Sequence, residues 1–203
     1  MSTWISKSLV TPFLISVLVS GCVMPDAAPG VSQSSTGAQS DMRQSLRIGA
    51  LKLAGPSGFC PLTTTQQKLA GADFVAFAPC SGDEGEILAA TIGGADSAAG
   101  LILKKAALGP YFATDAGIDA LRGAGNSDAI TVHEVTDYND AVVIRLTRTA
   151  DGAPTQSWRA VMQIDGRLVT LTVRPRQDQT MTGAQGRRLI TRFVDAMRGA
   201  NAA

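Results

Sequence analysis

His133 is the only histidine among the 203 residues, so any mechanism that needs an imidazole base passes through it. A hydrolytic centre would join it to a nucleophile such as Ser57 and to an orienting acid. No Gly-x-Ser-x-Gly elbow occurs, and Ser57 sits in Gly55-Pro56-Ser57-Gly58, where a turn is the simpler explanation. His133 itself lies in a strand-like run beside Glu134, which predicts an ordinary histidine on the open face of a sheet. Asp83-Glu84-Gly85-Glu86 clusters carboxylates without the alternating spacing of a calcium loop, and it reads as a solvated turn. A single histidine leaves zinc short of ligands. The glycine-rich stretch from Ile92 to Gly100 has neither a dinucleotide fingerprint nor a following Lys-Ser or Lys-Thr, so it offers no phosphate cradle. No metal or cofactor is expected.

The three cysteines are more informative. Leu9 to Val19 is an apolar run broken only by Thr11, Pro12 and Ser16, with Lys7 ahead of it. About 11 residues is too few to cross a hydrocarbon core that needs ~20, but it suits the apolar part of a signal peptide. Val19-Ser20-Gly21-Cys22 then resembles the lipobox of bacterial lipoproteins. That resemblance implies that Cys22 receives a diacylglycerol, that residues 1–21 are removed as a signal peptide, and that Cys22 becomes an acylated amino terminus. Two or three acyl chains, at about 0.8 kcal/mol per buried methylene, hold a protein stably where one does not. Because Val23 rather than an acidic residue follows, the resemblance favours the outer membrane, with the domain facing the periplasm. An ordinary secretory signal with an incidental cysteine is the alternative.

Residues 22–44 lack hydrophobic periodicity and are rich in Ser, Gly, Ala, Gln and Pro, so they read as the lipidated cysteine and a flexible linker. Such a segment has a root-mean-square reach of roughly 25 Å. With Cys22 lipidated, Cys60 and Cys80 remain and only one pairing is open to them. Export to an oxidising compartment predicts a structural disulfide; buried free thiols and a redox pair are the alternatives.

Residues 45–203 are expected to form a single α+β domain, mainly an antiparallel sheet with helices packed on it. Ser157–Ile164 and Arg167–Arg174 flank Asp165-Gly166, a strong signature of a two-residue hairpin. The implied register sets Met162 against Val169, Ala160 against Leu171 and Trp158 against Val173, and leaves Arg159, Gln163, Thr170 and Thr172 on the other face. Ala141 to Thr149 and Ile130 to Thr136 complete a four-stranded meander. Thr182-Gly-Ala-Gln185 has the capping-box form, and Leu189, Ile190, Phe193, Val194 and Met197 recur with helical spacing behind it. In the first half, Arg47 to Leu53, Asp73 to Pro79 and Glu86 to Ile92 read as strands. Pro61 to Ala70 reads as a short helix, and Thr114 to Arg122 as another, capped by Thr114 or Asp115.

The order hairpin, helix, meander, closing helix resembles the Mog1/PsbP-like fold, which includes periplasmic lipoproteins. The resemblance implies an accessory or assembly role rather than catalysis. Removing the leader leaves 17 basic and 17 acidic side chains, which gives no global electrostatic reason to bind nucleic acid. Arg174, Arg176, Arg187, Arg188, Arg192 and Arg198 gather near the C-terminus and form the candidate binding surface, for anionic headgroups or an envelope protein. The expected function is therefore a membrane-anchored accessory or binding domain. An envelope hydrolase using His133 and a small-ligand carrier are the alternatives.

Overall fold

A computed structural model describes residues 45–69, 71–82, 85–123, 126–176 and 179–202. The leader, Cys22, the linker, Asp83 and Glu84 lie outside the described residues. Nine strands and three helices follow one another along the described chain. A two-stranded hairpin, β1 (Ser45–Ile48) and β2 (Leu51–Ala54), comes first. Then come β3 (Phe59–Leu69), β4 (Ala72–Pro79) and β5 (Ile87–Ile92). Helices α1 (Lys105–Tyr111) and α2 (Asp115–Arg122) lead to β6 (Ala129–Tyr138), β7 (Ala141–Ala150), β8 (Ala153–Ile164) and β9 (Arg167–Arg174), and α3 (Gly183–Ala200) closes the order.

The last seven strands form one sheet in the order β3-β4-β5-β9-β8-β7-β6, every neighbouring pair antiparallel. Local turn chemistry explains the meander. Asn139-Asp140, Asp151-Gly152 and Asp165-Gly166 all take positive φ, the left-handed pair that a two-residue hairpin requires. Asn, Asp and Gly are the residues that tolerate it. The β8–β9 register is the expected one, with Trp158 opposite Val173, Ala160 opposite Leu171 and Met162 opposite Val169.

Alternation then divides the side chains between two faces. On one face Val75, Phe77, Leu88, Ala90, Trp158, Ala160, Met162, Val169, Leu171 and Val173 form a core with α3 and with Leu51 and Leu53 of the first hairpin. The capping box at Thr182 and Gln185 opens α3, and its Leu189, Ile190, Phe193, Val194 and Met197 are all buried there. Phe193 meets Phe77 edge to face, with ring centroids 5.3 Å apart. On the other face Val142, Ile144 and Leu146 of β7 and Ile130 of β6 pack with Phe112 and Leu121, so α1 and α2 cover the β6–β7 end of the sheet.

Three elements differ from the sequence expectation. Residues Arg47 to Leu53 are not one strand but the two arms of the first hairpin, reversed at Gly49, whose φ is +60°. The helix expected over Pro61 to Ala70 is not there: Pro61 to Leu69 belongs to edge strand β3, paired with β4, and Ala70 lies outside the described residues. Three consecutive threonines favour the pleated conformation, and an edge strand tolerates Pro61 because its missing N–H need not face a neighbour. The register of β3 shifts between Leu62 and Gln67. There Thr65 Oγ1 donates to Leu62 O at 2.7 Å and accepts from Ala76 N at 2.9 Å, so a hydroxyl stands in for a missing ladder bond. Helix α1 has no signature of its own, since Lys104 offers no side-chain cap. Asp137 of β6 supplies one instead, accepting from Lys105 N at 2.7 Å.

Candidate functional site

Cys60 and Cys80 form a disulfide, with their Cα atoms 5.1 Å apart. Cys60 lies near the start of β3 and Cys80 just after β4, at the end of that hairpin opposite its turn. Cys80 N also donates to Gly58 O at 2.9 Å. The bond thus holds an irregular edge strand at the end its turn cannot reach. A closed loop of this length stabilises a fold by about 3 kcal/mol in the chain-entropy model.

The six C-terminal arginines separate. Arg174 ends β9 on the face opposite α3, exposed. Arg176 follows it half-buried, its Nε without a hydrogen-bond partner among the described residues. The other four belong to α3. Arg187 pairs with Glu134 and sets its guanidinium 5.4 Å from the centre of the Trp158 ring, a cation–π contact. Arg192 Nη2 donates to Ser57 O at 3.1 Å. Arg198 donates from Nε to Asn139 O and from Nη2 to Asp140 O, both at 2.8 Å. Arg188 is exposed, and its side chain makes no hydrogen bond or ion pair among the described residues. Three of the four helix arginines therefore tie α3 to its neighbours: to β6, to the loop before β3 and to the β6–β7 turn.

His133 is exposed, but on the face that carries α3 rather than on the open face expected for it. The cause is a bulge in β6, where the pairing shifts between Val132 and Glu134. A bulge turns two consecutive side chains toward one side. His133 Nε2 comes to 2.8 Å from Thr147 Oγ1, and Glu134 Oε2 lies 3.6 Å from Arg145 Nε. Glu134 is thus held between Arg145 and Arg187 over the buried Trp158. The bound carboxylate is not free to orient the imidazole. Ser57 precedes β3 at the far edge of the sheet, six interstrand spacings of ~4.8 Å from β6. The fold does not bring Ser57 and His133 together.

Among the described residues no three His, Cys, Asp or Glu side chains gather as a metal site. No described helix is long and apolar enough to cross a membrane. Between the helices and the sheet, Phe112, Leu121, Val142 and Ile144 fill the interior, leaving at the rim a shallow cleft of about 340 Å³ beside Gly109, Ile118 and Val132. That volume is at the lower end for small-molecule sites.

Sequence reasoning placed Arg159 on the face away from the core but gave it no role. On that face, opposite Ile144 at the margin of the cluster under α1 and α2, the half-buried Arg159 side chain makes no hydrogen bond among the described residues, and its Nε is out of contact with solvent. Burial and the neighbouring charge of Arg148 push its pKa down to about 10, so it stays charged at neutral pH. The missed signal was the alternation of β7, which places Arg148 on the same side as Arg159.

A comparison of the chain with protein families and with curated proteins finds no match in either.

Proposed function

We propose that the chain is a lipid-anchored protein of a bacterial cell envelope, its α+β domain acting as a non-enzymatic accessory or binding module. Cys22 carries the lipid, residues 23–44 tether the domain, and the domain faces the periplasm from the outer membrane. The observation that carries the reading is the Cys60–Cys80 bond. Disulfides persist in oxidising compartments, so a bonded pair agrees with the export that the leader implies.

Two further points support it. The layering is read as Mog1/PsbP-like, on the order of first hairpin, three further strands, helix pair, meander and closing helix. Binding is favoured over hydrolysis because Ser57 lies before β3 at one edge of the sheet, His133 lies within β6 at the other, and Glu134 is already engaged by two arginines. The reading is tested by growing the native bacterium with an alkyne-bearing fatty acid. Label should enter the wild-type chain and a Cys60→Ser/Cys80→Ser chain, and be lost from Cys22→Ser. A wild-type chain without label would overturn the anchor.

A further inference from the structure

Antiparallel sheets often leave one face to water, and such a face is polar without being strongly charged. The face away from α3 departs from that pattern at one point. Over β5 and β9 it presents Ile87, Ala89, Thr91, Leu168, Thr170 and Thr172, with Phe74 and Ala76 of β4 beside them and outside the cluster under α1 and α2, while Val161 of β8 packs against that cluster. No Asp or Glu of these four strands points to this side. Arg159 stands among them, directly opposite Thr172. Arg174, two residues further along β9, is its diagonal neighbour, at the ~7–8 Å typical of such pairs.

The described carboxylates beside Arg148 and Arg122 are already engaged. Asp128 Oδ2 pairs with Arg148 Nη1 at 2.9 Å, and Asp119 pairs with Arg122. Arg148 spends its other amino group on Arg122 O, at 2.8 Å, at the C-terminus of α2. Both amino groups of Arg148 are therefore engaged and it contributes chiefly field, whereas the Arg159 side chain makes no hydrogen bond among the described residues. A desolvated guanidinium without an acceptor is costly, by several kcal/mol in general, and is ordinarily matched by an anion. The planar fork of Arg suits a carboxylate bound through two parallel hydrogen bonds.

We propose that Arg159, with Arg174 beside it and Arg148 behind it, is a carboxylate-binding site on the open half of the sheet. The ligand is an organic acid or the acidic side chain of a peptide, its carbon skeleton lying on the Ala and Thr surface of β5 and β9. This rests on reading the domain as a binding module, but not on the lipid.

The test is a titration of the isotope-labelled full chain in detergent micelles, following the Nε–Hε resonances of its arginines. One arm adds glutarate; the other adds a capped peptide of alternating Glu and Ala. The Arg159 resonance should move saturably in at least one arm, while exposed Arg188 moves little. Arg159→Gln should weaken binding by about tenfold or more, as expected for a hydrogen bond to a charged group, and Arg188→Gln should not. Response to glutarate alone makes the ligand a small acid; response to the peptide alone makes it a partner's side chain. A non-saturating shift shared by Arg159 and Arg188, or unchanged affinity in Arg159→Gln, overturns the proposal. Acylated and unacylated chains give the same readout, so failure here leaves the anchor untouched.

Discussion

Gly186 of α3 lies so close against the Trp158 ring of β8 that a Cβ there would overlap Cδ1 and Nε1 of the indole. The helix can sit at this height because that position has no side chain. The contact is also where Arg187 turns its guanidinium over the same ring. One glycine thus sets the spacing between the closing helix and the sheet.

Gly186→Ala should destabilise the domain although alanine is the better helix former. The helical gain is about 1 kcal/mol, whereas overpacking a rigid core site costs roughly 1–3 kcal/mol before repacking, and here the obstacle is an indole held in a sheet. Chemical denaturation would show a lower midpoint, and Trp158 emission would shift as the ring moves. An unchanged midpoint with unchanged emission would mean that α3 is not seated on Trp158.

Reduction of Cys60–Cys80 should lower stability by about 2–4 kcal/mol without abolishing the sheet, since the bond closes the end of one edge hairpin. Hydrogen exchange should quicken first in β3, where the pairing is already interrupted between Leu62 and Gln67. Uniform loss of protection across all seven strands would contradict that placement.

Much of this architecture was legible because its devices are local. Asp165-Gly166 announces its own hairpin, and Thr182 with Gln185 announces its own helix. The illegible parts depend on distant partners. Helix α1 takes its cap from Asp137, on a strand that comes later in the chain. The segment from Pro61 to Leu69 becomes a strand because β4 pairs with it and Cys80 ties it down. The arginines follow the same rule. Proximity in sequence grouped six of them, but Arg187 and Arg198 bind back to the domain, while Arg159 is set apart by having no acceptor.

Glu134→Gln should unseat Arg187 and leave Arg145 and Arg187 without their shared carboxylate. Both pairs are partly exposed, so the loss should be about 0.5–1 kcal/mol and should shrink in high salt. A double-mutant cycle with Arg187→Gln reads the coupling directly. No coupling at low salt would show that the pair does not hold α3.

Tyr138 donates to Asp195 Oδ2 at 2.8 Å, and that bond, with burial and the Asp195 charge adding to it, raises its pKa above the usual 10.0. The neutral phenol is the form the fold favours. Its contribution is therefore fully present below the unfolded pKa and is lost as pH rises through the folded one. Absorbance near 295 nm should show Tyr138 ionising above free tyrosine, and Asp195→Asn should bring it back down. Titration at or below the free value would remove this link between the β6–β7 turn and α3.

The most direct measurement of the account is the intact mass of the chain extracted from native bacterial membranes, with and without reduction and alkylation. An acylated chain beginning at Cys22, with Cys60 and Cys80 alkylated only after reduction, is the predicted result. An unmodified chain in the soluble periplasm would contradict the anchor, and thiols at Cys60 and Cys80 that alkylate without reduction would contradict the staple.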